Sequence, residues 1–188
     1  MNSNILKLYA EFDALSMDIR LMCQKCSFPC CVGYIWLLAD EVESLLNIDV
    51  PIVEINDSTA FIHSFEEEDG VIRIDKPKPP CRWRESSFCS IYTNRPLVCR
   101  MYPVGFVTDN EEVVVVLHRD CEYSQKLDGK NKKQFFDHII KILRQTRIGL
   151  LNKIFDCYLQ VDRLSVFPEG LNTFEVIAPL KVILNERR

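Results

Sequence analysis

The chain has 188 residues, nine of them cysteine, and 23 Lys+Arg against 27 Asp+Glu give it a formal net charge of -4. A chain of this length buries about 70 % of its unfolded surface as one domain. It has no need of a disulfide scaffold, which takes cysteine above about 8 %. The charge argues against a general nucleic-acid binder that works by neutralising phosphates. No apolar run approaches a membrane span, and Met1 to Arg20 carries no basic, cleavable leader. The expected compartment is therefore a reducing cytoplasm, where thiols stay reduced unless they hold metal.

Ile5, Leu8, Phe12, Leu15, Ile19 and Met22 recur at steps of three and four, one apolar stripe on an opening helix. The helix gives way at Cys23, and Cys23-Gln24-Lys25-Cys26-Ser27-Phe28-Pro29-Cys30-Cys31 reads as a loop with four thiols in nine residues. A short strand is expected over Tyr34–Leu38, then a helix capped by Asp40 and running through Leu46. Strands follow at Ile52–Ile55, Ala60–Phe65 and Val71–Ile74, the last two flanking a Glu66–Gly70 turn that ends in Asp-Gly. Lys76-Pro77-Lys78-Pro79-Pro80 is extended. It leads into a second cysteine-rich stretch, Cys81 to Tyr102. Val104–Val107 and Val113–Leu117 form a hairpin around Asp109-Asn110, and Cys121 comes four residues after it. From Asn131 to about Leu164 the pattern is helical, with Gly149 as the expected break, and a last short helix follows Pro179. The fold class is α+β in a single domain, 1–188. A small irregular β-rich middle carries the cysteines at 20–125, packed between an N-terminal helix and a helical part at 130–188.

Eight cysteines, Cys23, Cys26, Cys30, Cys31, Cys81, Cys89, Cys99 and Cys121, fall in or next to turns, whereas Cys157 lies in the apolar pattern of a helix and reads as core. Disulfides need an oxidising compartment, and vicinal Cys30-Cys31 is a poor framework element. Simple buried thiols are an unlikely use of four turn cysteines in nine residues. Metal ligation is the reading that fits, because a Cys-x2-Cys turn converges two thiolates on one ion. Cys30 and Cys31 diverge as successive side chains, so two neighbouring sites, or one ligand beside a second-sphere or reactive thiol, are more natural than a single site. His118, three residues before Cys121, is a weaker ligand candidate for a mixed site. Asp40, Glu41 and Glu43 read as ordinary helix-start carboxylates. Val71 to Val107 holds seven basic residues (Arg73, Lys76, Lys78, Arg82, Arg84, Arg95, Arg100) against two acidic ones (Asp75, Glu85). That suits a thiolate centre of about -2 formal charge, with Arg95 and Arg100 flanking Cys99 as donors around it.

The run Cys23-x2-Cys26-x3-Cys30-Cys31, then Cys81, then Cys89-Ser-Ile-Tyr and Arg95-Pro-Leu-Val-Cys99-Arg100-Met-Tyr102-Pro103, resembles the CxxCxxCC zinc- or iron-chelating family, often called YkgJ-like. The resemblance covers about residues 20–125 and implies metal chelation through the eight cysteines. It favours an iron–sulfur cluster of the 4Fe-4S type, with zinc as the alternative, since soft all-thiolate sites suit both. Flagellin lysine-N-methylases are distant relatives by the same resemblance. Their methyl transfer is not carried over, because the six glycines are scattered and form no loop for S-adenosylmethionine.

The first functional expectation is a metal-binding protein with a structural, redox or partner-serving centre. The second is a metal-dependent enzyme modifying a protein or peptide, with a cleft lined by Tyr92, Arg95, Arg100 and Tyr102 as cofactor- or substrate-binding residues. The third is a sensor that releases its metal when thiols oxidise. A protein or peptide partner is compatible with each; nucleic acid and membrane are not expected partners.

Overall fold

Apolar residues at helical spacing in the opening segment form α1, Ser3–Leu15, which turns Ile5, Leu8 and Phe12 into the core. The computed structural model describes residues 3–15, 19, 35–56, 59–63, 65–77, 81, 83–85, 88–109, 112–164 and 174–185. The loop bearing Cys23, Cys26, Cys30 and Cys31 lies outside the described residues. Strand β1 is Trp36–Leu37, shorter than the expected Tyr34–Leu38, and helix α2 covers Ala39–Leu46. Its N-cap is Leu38, not Asp40: the Glu41 side chain, in the third helical position, reaches back to accept the Leu38 N–H at 2.8 Å.

Strands β2 (Ile52–Asn56) and β3 (Thr59–Ile62) pair antiparallel, and β1 joins on the other side of β3 to give the order β1-β3-β2. The stretch expected as one strand over Ala60–Phe65 is two. It breaks after Ile62, and β4 (Phe65–Glu68) starts a separate ribbon with β5 (Val71–Pro77). The glutamate run expected as turn is therefore strand, because Asp69 and Gly70 alone make the reversal. Both sit at positive φ, 51° and 78°, as a two-residue mirror-image turn requires, and Glu68 pairs directly with Val71.

A two-residue ribbon, β6 (Arg84–Glu85) with β7 (Phe88–Cys89), and a 3-10 turn at Tyr92–Asn94 lead to the short helix α3, Leu97–Met101. The valine-rich hairpin starts where expected and is longer towards its turn: β8 is Val104–Asp109 and β9 is Glu112–His118. Val115, Val116 and Leu117 have no exposed surface, since β9 is a central strand covered on both faces. Its second neighbour is β10, Phe174–Pro179, a strand in the tail that the sequence reading did not anticipate.

After α4 (Glu122–Lys126) come two long helices, α5 (Gly129–Gln145) and α6 (Ile148–Leu164), and α7 (Leu180–Asn185) closes the chain. The break between α5 and α6 falls at Thr146–Arg147 and not at Gly149. The Thr146 hydroxyl bonds back to the Ile142 carbonyl and ends α5, while Leu150 N–H and Leu151 N–H already close on Arg147. Phe135, Ile139, Ile142 and Leu143 of α5 and Leu151, Ile154 and Cys157 of α6 pack on α1, α3 and the β8–β9 hairpin as the main core. Each such aliphatic or aromatic side chain contributes about 1.5–3 kcal/mol by burial. The molecule is α+β, with helices on small antiparallel sheets. Among the described residues no helix is long and apolar enough to cross a membrane.

Candidate metal centre

A second, smaller apolar cluster lies apart from the main core, and three of the turn cysteines belong to it. Cys81 is buried in this cluster with Ile35, Leu37, Ala60, Ile62 and Ile91, and the half-buried Cys89 and Cys99 pack against the cluster. The local folding explains how residues so distant meet. Arg84 N–H closes a turn on the Cys81 carbonyl, and Cys89 then pairs with Arg84 across the β6–β7 ribbon. Pro96 caps α3 with extended backbone, and Cys99 N–H bonds to the Pro96 carbonyl within its first turn. Cys121 is buried elsewhere, at the N-cap of α4, where the Ser124 hydroxyl donates to its carbonyl at 2.7 Å. Cys157 sits in the main core, as its helical spacing implied. No disulfide joins Cys81, Cys89, Cys99, Cys121 and Cys157 to one another. Among the described residues no group of three or more His, Cys, Asp or Glu converges as a metal site.

Beside Cys99 lies a buried charged network. Arg100, 7 % exposed, donates to the carbonyls of Arg95 (2.8 Å) and Thr93 (2.8 Å) and to the Asp13 carboxylate, and its guanidinium lies 4.1 Å from the centre of the Tyr9 ring. Arg95 reaches the carbonyls of Tyr92 (3.1 Å) and Cys99 (3.5 Å) and Asp13 (3.5 Å), and stacks 3.7 Å over the Tyr92 ring. Glu41, with no exposed surface, accepts from Leu38 N–H (2.8 Å), Leu97 N–H (2.7 Å) and the Tyr9 hydroxyl. Burial pushes the Glu41 carboxyl above its ordinary pKa, against the pull of those three donors and of the Arg100 charge. Burial and then the Glu41 charge push the Tyr9 phenol up as well.

Of the four residues expected to line one cleft, Tyr92, Arg95 and Arg100 belong to the network around Asp13. Tyr92 and Arg95 stack on each other, and Arg100 is turned inward on its carbonyl acceptors. Tyr102 stacks on His118 with ring centres 5.7 Å apart. Burial lowers the His118 pKa, against the opposing charge of Asp120. Gly105 makes room for that imidazole, because a Cβ there would lie 2.7 Å from His118 Nε2. A pocket of about 170 Å³ opens beside the network, lined by Leu6, Tyr9, Ser44, Leu45, Thr93, Asn94 and Arg100; of the four, only Arg100 reaches it. Sequence reasoning missed Tyr9 and Asp13, and took Glu41 for a plain helix-start carboxylate. The available signal was its place three residues after Leu38, the capping-box position.

A family model, CxxCxxCC, described as "Putative zinc- or iron-chelating domain", matches residues 22–122, more than half of the chain. The match opens next to Cys23 and closes next to Cys121, so it takes in all eight turn cysteines and leaves out Cys157. No curated protein and no solved structure matches the chain.

Proposed function

The chain belongs to the CxxCxxCC family of zinc- or iron-chelating domains, and from that premise we propose that it holds iron–sulfur clusters of four thiolates each, with ligands drawn from Cys23, Cys26, Cys30, Cys31, Cys81, Cys89, Cys99 and Cys121, in a structural, redox or partner-serving role. The observation that supports the reading is that Cys81, Cys89 and Cys99 belong to one apolar cluster that also holds Ile35. Ile35 follows Cys31 by four positions, and four residues of chain span at most about 14 Å. The chain's length thus allows Cys31 to lie near that cluster, and in this reading the first cysteine-rich stretch supplies ligands beside those of the second.

The donor chemistry supports a soft metal. The candidate ligands are thiols, the chain has three histidines in all, and thiolate sets favour iron–sulfur clusters or zinc over harder ions. Arg95 and Arg100 bring two fixed positive charges to the Cys99 turn, which suits a centre of net negative charge. When bound, such a cluster supplies a one-electron couple or a rigid cross-link between the first stretch and the second. The protein's own part is to gather the thiols, shield them in apolar surroundings and hold the Cys99 turn by its carbonyls. The inward packing of Arg100 on the Thr93 and Arg95 carbonyls supports a held centre over an open substrate cleft.

The test is elemental analysis with a visible spectrum on protein purified without oxygen. Iron and acid-labile sulfide in equal amounts, with a broad charge-transfer band, are the expected result. Colourless protein carrying zinc would replace the cluster with a zinc–thiolate centre. Metal-free protein that takes up neither iron nor zinc would overturn the reading.

A further inference from the structure

We infer that Glu41 is the positioning residue of the metal centre: its buried carboxylate fixes the helix that carries Cys99 against both chain segments flanking the Cys23–Cys31 loop. The inference rests on the metal-binding reading above and deepens it.

The hydrogen bonds carry the argument. One carboxylate with no exposed surface serves three donors from three segments. Oε2 takes the Leu38 N–H, at the start of α2 and seven residues after Cys31. Oε1 takes both the Leu97 N–H, at the start of the turn that bears Cys99, and the Tyr9 hydroxyl of α1, the helix that leads towards Cys23. The segments before and after the loop are thereby tied, through one side chain, to the backbone two residues from Cys99. A second tie runs in parallel. Asp13, further along α1, binds Arg100, which in turn holds the Thr93 and Arg95 carbonyls on the other side of Cys99.

A buried charge with so complete a set of donors is costly to assemble and has few ways to relax. The Glu41 carboxylate has no exposed surface, so a donor that leaves it is not readily replaced by water. Tyr9 and Leu38, on either side of the loop in sequence, are therefore held to the turn that bears Cys99 by groups other than the thiols. Groups that orient metal ligands without touching the metal typically change affinity 10–100-fold when removed. Glu41 is absent from the thiol cluster itself, so its effect on metal would pass entirely through position.

The experiment compares wild-type protein, Glu41→Gln, Tyr9→Phe and Ile139→Val, all loaded with Co²⁺ and then challenged with excess EDTA, with release followed by the thiolate-to-cobalt absorption band. Ile139 has no exposed surface and lies in the main core on α5, so Ile139→Val reports loss of stability alone. Glu41→Gln keeps the size and one acceptor oxygen but sets an NH2 against the N–H of either Leu38 or Leu97. It is expected to release cobalt about 10-fold faster or more and to shift the band. Tyr9→Phe removes one donor and is expected to fall between wild type and Glu41→Gln, and it reads the same quantity should Glu41→Gln not fold. Release within about twofold of wild type for the folded Glu41 or Tyr9 variant, or equally fast release from Ile139→Val, would overturn the positioning role. Wild-type protein that takes up no cobalt, iron or zinc would instead refute the metal-binding reading itself.

Discussion

Glu41 is fully buried and His118 half-buried, and the fold accommodates them in opposite ways. Glu41 is surrounded by donors: two backbone N–H groups, the Tyr9 hydroxyl and, further out, the Arg100 charge. His118 is accommodated by shape, with its ring on Tyr102 and its Nε2 in the space left by Gly105, and burial favours its neutral form. The first arrangement is directional and ties distant segments together. The second is a matter of volume and of discharging a group that is hard to solvate. Removing Glu41 should therefore unlock several segments at once, whereas disturbing His118 should act locally and with a dependence on pH.

The sharpest way to break this comparison is Glu41→Ala. It leaves three donors without an acceptor, and a loss of about 3–5 kcal/mol in urea unfolding is expected, a large part of ordinary domain stability. A loss under about 1 kcal/mol would mean that water replaces the carboxylate and that no lock exists. Next comes Gly105→Ala, whose new methyl overlaps the imidazole. Overpacking of this kind costs about 1–3 kcal/mol, and the double variant with His118→Ala should recover most of it in the same unfolding experiment.

The pH dependence sharpens the contrast further. The unfolded imidazole titrates near its ordinary value of about 6.5, and the folded one lies lower. As pH falls, the unfolded state takes up the proton first, so this contribution is complete above about 6.5 and is lost as pH falls through the folded value. Stability of wild type relative to His118→Gln should accordingly shrink between neutral and mildly acid pH; a constant difference would contradict a neutral buried imidazole. The smallest effect belongs to the β4–β5 ribbon. There Glu68 meets Arg73 and Lys76 at the surface, and Lys76 is the main cause of its lowered pKa. Exposed pairs of this kind contribute little, so Glu68→Gln should leave Tm unchanged within error in thermal melts.

The regular parts of the fold were legible because their causes are local. Phe135, Ile139, Ile142 and Leu143 announce α5 by spacing, and the valine run announces β9. What the chain does at Thr146 depends on one hydroxyl bonding back to Ile142, a competitor to the more conspicuous Gly149. Strand β10 depends on a partner edge offered by β9, 56 residues earlier at the Phe174–His118 pair, and no local pattern encodes that pairing. The site follows the same division. The turn cysteines, and Arg95 and Arg100 around Cys99, were visible as a motif. The acceptor that turns Arg100 inward is Asp13, 87 positions away, and the donors that make Glu41 a junction lie 32 and 56 positions from it.

The measurement that tests the central claim most directly is metal per chain, by elemental analysis, in Cys99→Ser and Cys157→Ala set beside wild type. Cys99 shares the thiol cluster, whereas Cys157 is buried in the main core. Cys99→Ser should lower bound metal and loosen the fold, while Cys157→Ala should keep the wild-type metal content. Unchanged metal in Cys99→Ser, or a matching drop in Cys157→Ala, would contradict the assignment of the turn cysteines as the metal-holding set.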